Sequence, residues 1–154
     1  MLQELLYQLA IRSVKGNTNI DVRSLHVDSR TVKQDSCFIA IKGTDTDGHA
    51  YIEAAITNGA IAIVCQQMPA TFTEGITYVQ VENSAVAAGF ISHRFYGEPS
   101  AHLKLVGVTG TNGKTTIVTL LFKLFSSLGY TCGLISTVQN QVGKTIVEST
   151  HTTP

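Results

Sequence analysis

The 154-residue sequence carries no excess of either charge: eleven Lys and Arg face eleven Asp and Glu. A balanced chain has no electrostatic reason to gather nucleic acid or an anionic membrane, so neither is expected as a partner. No run of about eighteen apolar residues occurs, which argues against a membrane-spanning helix. The opening MLQELLYQLAIR lacks a basic start followed by a continuous apolar core, so it does not read as a secretory signal. The expected compartment is the cytoplasm. Cysteine is sparse: Cys37, Cys65 and Cys132 are three in number, far apart, and each in an apolar run. No pair has zinc-ligand spacing, and reduced, buried thiols are expected. There is no internal repeat and no low-complexity tract. What is present is a globular composition, 44% hydrophobic and 14% charged.

Hydrophobic spacing predicts the elements. Leu2, Leu5, Leu6 and Leu9 share one face of a short helix over 2–11. IDVRSLHV (20–27) reads as a strand, and CFIAI (37–41) and AIAIVC (60–65) as buried strands. Asp47 is placed to cap a helix running to about Asn58, with Gly59 ending it. ITYVQV (76–81) is a further strand, followed by a helix from about Ser84 to Tyr96 that Gly97 and Pro99 stop.

The pattern then restarts. LKLVGV (103–108) predicts a strand leading into a Gly-rich loop. From Lys114, the residues Ile117, Val118, Leu120, Leu121, Leu124, Phe125 and Leu128 trace a helix face that Gly129 ends. TCGLIS (131–136) is the next strand, and 138–149 a hairpin turning near Gly143-Lys144. The expected fold class is α/β: a small N-terminal mixed α/β domain over 1–98, then the first βαβ unit of a P-loop nucleotide-binding domain over 99–154. Such a parallel domain usually exceeds about 100 residues, and only about half that number follow the boundary at GEPSAH (97–102). The expectation is therefore a piece of a longer enzyme.

The chemistry concentrates in GVTGTNGKTT, Gly107–Thr116. The common phosphate loop reads Gly, four residues, then Gly-Lys-Ser/Thr. Here that first position is Val108, so the glycine spacing is of another kind. The context still fits, because glycines let backbone N–H groups turn onto phosphate oxygens and a helix N-terminus adds partial positive charge. Gly110, Thr111, Asn112, Gly113, Lys114, Thr115 and Thr116 are the expected ATP-binding residues. Lys114 meets the β- and γ-phosphates as a point charge, and the Thr115 hydroxyl ligates the accompanying Mg²⁺. Lys114 and Thr115 are thus the catalytic candidates, and Thr115 the metal ligand. A GTPase would need Asn-Lys-x-Asp after the loop, and none occurs; the Asp-x-x-Gly at 45–48 precedes it. As a calcium loop, the same DTDG would put Gly43 at position one and Ala54 at position twelve, with no bidentate Glu. The histidines at 26, 49, 93, 102 and 151 show no metal or triad spacing. His49, after Asp47-Gly48, is the one to follow.

Two blocks together resemble the Mur ligases of peptidoglycan synthesis. The first is VDSRTV (27–32), FIAIKG (38–43), DGHAYI (47–52) and GAIAIV (59–64); the second is GVTGTNGKTT and THTTP (150–154). The loop is similar to the ATP loop of that family. Within it, GTNGKTT and the terminal TTP look like the MurE-type branch. The resemblance implies an ATP-dependent carboxylate–amine ligase. It would add a diamino acid, meso-diaminopimelate or L-lysine, to UDP-N-acetylmuramoyl-L-alanyl-D-glutamate through an acyl phosphate. By position it implies that Val27, Ser29, Thr44, Asp45 and Thr46 contact the UDP substrate, and that Thr152 and Thr153 meet its muramoyl-peptide part. ATP and Mg²⁺ are the implied cofactors.

The sequence departs from the family where Pro-Gly-Asp-Leu often precedes the Phe of the buried strand. Here Gln34-Asp35-Ser36-Cys37 stands instead, and Asp35 is expected to take the left-handed conformation that a glycine would. The family's modified lysine, its further Mg²⁺ ligands and its C-terminal domain have no counterpart in the 154 residues, so this piece alone is expected to be inactive. Two alternatives stay open: a MurF-type or related amide ligase, and a non-catalytic UDP-sugar or nucleotide-binding module. The sequence does not specify the oligomeric state.

Overall fold

A computed structural model of the chain describes residues 1–44 and 46–148; Asp45 and residues 149–154, with the predicted contacts Thr152 and Thr153, lie outside the described residues. The chain divides into two units, Met1–Leu103 and Lys104–Pro154.

In the first unit the strands are β1 (Ile11–Lys15), β2 (Ser24–His26), β3 (Ser36–Ile39), β4 (Ala60–Cys65) and β5 (Thr77–Val81). The sheet order is β1-β5-β4-β3-β2. β2, β3, β4 and β5 run parallel, and β1 joins β5 antiparallel at the edge. Strand β4 is continuously apolar, and β3 and β5 are largely so, because both faces of these strands are covered. The alternation within them assigns each face. Cys37, Ile39, Ala62, Val64, Val79 and Val81 pack with Leu2, Leu5, Ala87 and Ile91, from α1 (Leu2–Leu5) and α3 (Ser84–Phe95). Phe38, Ala40, Ile63, Cys65 and Tyr78 pack with Val32, Ile52 and Ala55 on the other side, the latter two from α2 (Ile52–Thr57). Burial removes the Cys37 and Cys65 thiols from water and pushes their pKa up to about 12 and about 11. Both are the inert hydrophobes expected. Cys132 is only half-buried.

The helix expected over 2–11 is shorter. It ends by Leu6, and Gln8 turns the chain with φ +62°. The following IRSVK becomes β1, which is exposed along its length and so carries no alternating signal. Asp35 has φ +60°, the left-handed turn expected where the family favours glycine. Helix α3 begins at Asn83, whose side chain accepts the N–H groups of Ala85 and Val86 at 3.0 and 3.1 Å. It stops at Gly97, φ +74°, and a short helix α4 (Pro99–His102) follows.

The second unit holds α5 (Lys114–Ser127) and an antiparallel sheet of β6 (Gly133–Ile135), β7 (Gln139–Val142) and β8 (Thr145–Glu148). The hairpin turns at Gly143-Lys144 as expected, with Val142 paired to Thr145. The strand expected at 103–108 does not form. Among the described residues nothing pairs with it, and Leu103, Leu105 and Val106 are exposed. A parallel strand exists only between neighbours that take its N–H and C=O groups, so apolar sequence alone does not make one. Among the described residues, no helix is long and apolar enough to cross a membrane.

Candidate functional site

In the first unit the predicted substrate residues lie on two short turns. Asp28 caps a single 3₁₀ turn, Ser29–Thr31, by accepting the Arg30 N–H at 2.9 Å. Its carboxylate also takes the Arg30 guanidinium in a fork, Nε to Oδ1 at 3.0 Å and Nη2 to Oδ2 at 2.7 Å. The Arg30 hydrogen bonds hold the Asp28 carboxyl down at about 2. Ser29 is buried, and its carbonyl accepts the Asn58 amide at 2.9 Å, which ties the turn to the end of α2. Val27 is exposed beside it. His26 bridges the region, with Nδ1 3.0 Å from the Thr31 hydroxyl and Nε2 3.0 Å from the Ser24 hydroxyl.

The second turn, Gly48–Tyr51, is capped by Asp47, which accepts the His49 N–H at 3.0 Å. The expected Asp47 cap is present, on a 3₁₀ turn that leads into α2. Gly48 is required here: its N–H meets the Ile41 carbonyl at 2.8 Å, and a Cβ would lie 2.8 Å from Ile41 N and O. The preceding loop is closed by the Gly43 N–H on the Thr46 carbonyl at 2.9 Å, which leaves Thr44 and Thr46 exposed. Asp45, expected between them, lies outside the described residues. His49 is a brace. Its Nε2 accepts the backbone N–H groups of Gln66 at 3.0 Å and Gln67 at 3.3 Å. That fixes its proton on Nδ1, which donates to Asp47 at 2.6 Å. Both turns pack against α2. Val27, Ser29, Thr44 and Thr46 line neither of two surface depressions of about 380 and 310 Å³ on this unit.

In the second unit, the loop has the properties of an anion cradle. Gly110 and Gly113 take φ +146° and +79°, which only glycine adopts freely. Gly113 precedes α5 with no side-chain cap, so the first N–H groups of a fourteen-residue helix stay open. Lys114 Nζ donates to the carbonyls of Gly110 and, at 3.3 Å, Thr111, so its ammonium sits on the loop. Thr115 is half-buried in the first turn, and Thr111, Asn112 and Thr116 are exposed. This donor set suits a triphosphate with its Mg²⁺: open N–H groups and one ammonium for phosphate oxygens, one hydroxyl for the metal. Among the described residues there is no cluster of three His, Cys, Asp or Glu for a metal.

One residue was absent from the sequence expectation. The Thr137 hydroxyl lies 3.5 Å from that of Thr115. Thr137 follows β6 in the turn that leads into β7. Nothing in the sequence marks it, because Thr115 is twenty-two residues away.

Comparison with known proteins gives one consistent picture. The profile of the Mur ligase family, catalytic domain, matches residues 21–96, within the first unit and ahead of the Gly-rich loop. The UDP-N-acetylmuramoyl-L-alanyl-D-glutamate--2,6-diaminopimelate ligase of Cytophaga hutchinsonii is 49% identical over 154 residues, 99% of this chain and 32% of that protein. The ligase of the same name from Bacteroides fragilis is 49% identical over 153 residues, again 99% of this chain and 32% of that protein. A solved structure of a ligase of that name aligns with TM-score 0.71 and 26% identity, over 99% of this chain and 30% of that one. The chain spans about a third of the length of the curated relatives it matches.

Proposed function

We propose that the chain belongs to the Mur ligase family and supplies the substrate-recognition region and the ATP loop of a MurE-type ligase. The reaction joins a diamino acid to UDP-N-acetylmuramoyl-L-alanyl-D-glutamate. The relatives' names point to 2,6-diaminopimelate rather than L-lysine as that amino acid. The observation that carries this reading is 49% identity along the whole chain to ligases of that name.

A carboxylate is a poor electrophile, so amide formation needs a leaving group on it, and phosphorylation by ATP supplies one. In this reading the residues of the loop do electrostatic work. The open N–H groups at the start of α5 and the Lys114 ammonium hold the phosphates and offset the charge that builds on the transferred group. The Thr115 hydroxyl would ligate Mg²⁺, which when bound would supply positive charge to offset that of the phosphates. Val27, Ser29 and the 44–46 loop take the uridine end of the other substrate, and Thr152 and Thr153 its muramoyl-peptide part. All the substrates are soluble, which makes the cytoplasm the compartment of this reading. The domain division follows the same logic, recognition over 1–98 and nucleotide binding from 99 onward.

The test uses the protein as its gene encodes it. Incubation with Mg·ATP, UDP-N-acetylmuramoyl-L-alanyl-D-glutamate and 2,6-diaminopimelate is expected to release phosphate and give the extended peptide by mass spectrometry. L-Lysine in its place is expected to be a poor substrate. Tight UDP-substrate binding without phosphate release for any diamino acid would instead identify a non-catalytic binding module.

A further inference from the structure

The Thr115 hydroxyl has few places to turn. A threonine in a helix interior can bond the carbonyl four residues back, but Thr115 is the second residue of α5, and the residue four back, Thr111, lies in the loop before the helix. Among the described residues, its hydrogen-bond partner is Thr137 Oγ1 at 3.5 Å. A hydroxyl has one proton and two lone pairs. When its oxygen ligates a cation, the proton must point away from the metal, and an acceptor there fixes the rotor.

Thr137 is held well enough to be that acceptor. Ser136 closes the turn around it: its hydroxyl donates to the Gln139 carbonyl at 2.8 Å and accepts the N–H groups of Val138 at 3.3 Å and Gln139 at 3.2 Å. The Ser136 N–H donates to the same carbonyl at 3.2 Å. On the other side, Leu134 is buried in β6, which packs against α5. The turn is therefore anchored both to itself and to the helix that carries Thr115. The side chain of Thr137 is exposed, so it has no packing role to explain its place.

We propose that Thr137 is a positioning residue for the phosphate loop: it accepts the Thr115 proton and so aims the Thr115 lone pairs at the metal ion of a bound nucleoside triphosphate. The inference rests on the nucleotide-loop reading above. The 3.5 Å separation is long for a hydroxyl pair, and the proposal requires it to shorten in the nucleotide complex.

The test is calorimetric titration of the protein as its gene encodes it, with Mg·ATP and, separately, with ATP in excess chelator. Thr137→Val is expected to weaken Mg·ATP about tenfold, the size of one charge-assisted hydrogen bond, and to leave metal-free ATP within about twofold. Thr137→Ser, which keeps the hydroxyl, restores Mg·ATP affinity. In a Thr115→Val background, Thr137→Val has no further effect. Equal losses with and without metal, or no loss at all, overturn the proposal. A wild-type protein that takes neither form of ATP overturns the loop reading itself, and this inference with it.

Discussion

Asp28 and Arg30, two residues apart, form a forked ion pair with Nη2 2.7 Å from Oδ2, while the same carboxylate caps the turn through the Arg30 N–H at 2.9 Å. The two bonds reinforce each other: the cap fixes the carboxylate and the guanidinium keeps it ionised. The side chains nevertheless stay in water, so the pair shapes the turn more than it stabilises the fold.

The Asp28 carboxyl is held near 2 against an ordinary 3.8. A depressed carboxyl contributes stability above its unfolded value and loses it as pH falls through the folded one. The contribution of this pair is therefore full above about pH 4 and gone below about pH 2. NMR titration of the Asp28 carboxyl carbon is expected to give a midpoint near 2. In Arg30→Gln the midpoint should climb toward the ordinary range. A midpoint that ignores the substitution would mean that the fork is not formed in solution.

His49→Ala removes the acceptor for two backbone N–H groups at the end of β4. Unpaired donors near the interior cost about 1–3 kcal/mol each at most. Urea unfolding is expected to show a loss of about 1–3 kcal/mol with an unchanged m-value. A loss below about 0.5 kcal/mol would show that water replaces the imidazole, as at an ordinary surface site.

Two glycines should respond in opposite directions. Gly48→Ala drives a Cβ to 2.8 Å from the Ile41 backbone, so the 41–48 turn must open. Gly89 sits within α3, and a Cβ there meets nothing within 4 Å. Gly89→Ala is expected to stabilise by about 0.5–1 kcal/mol through helix propensity and chain entropy. Gly48→Ala should destabilise by about 1–3 kcal/mol through overpacking. Thermal unfolding of the two variants checks both signs at once.

Thiol labelling should separate the cysteines. Cys37 and Cys65 are fully buried with strongly raised pKa values, so the reactive thiolate is absent near neutral pH. Of the three cysteines in these 154 residues, the half-buried Cys132 alone is expected to react with a thiol reagent in the native protein, and all three after unfolding. Fast labelling of Cys37 or Cys65 in the native state would contradict the packing of β3 and β4.

Much of this was legible from residue order, for reasons that differ by element. Strands β3, β4 and β5 announce themselves because a strand buried on both faces is largely apolar. Helix α3 is bounded by a capping Asn83 and by Gly97, whose chemistries act on the adjacent backbone. Strand β1 was silent: IRSVK lies exposed at an edge, and its strand character comes from hydrogen bonds to β5, seventy residues away at the Ile11–Val81 pair. The segment 103–108 misled in the opposite sense, because its apolar alternation invites a strand for which no partner is present among the described residues.

The same division runs through the candidate site. The local chemistry of the phosphate loop belongs to the sequence: Gly110 and Gly113 for positive φ, then Lys114 and Thr115 at the start of a helix. So do the Asp28 and Asp47 caps, since each bonds within two residues. These are short-range effects, written in neighbouring side chains and backbone angles. The two faces of the sheet, the brace from His49 to Gln66 and the meeting of Thr115 with Thr137 required the tertiary structure. Each joins groups separated by many residues, and only the packing of helices on strands brings them within hydrogen-bonding distance.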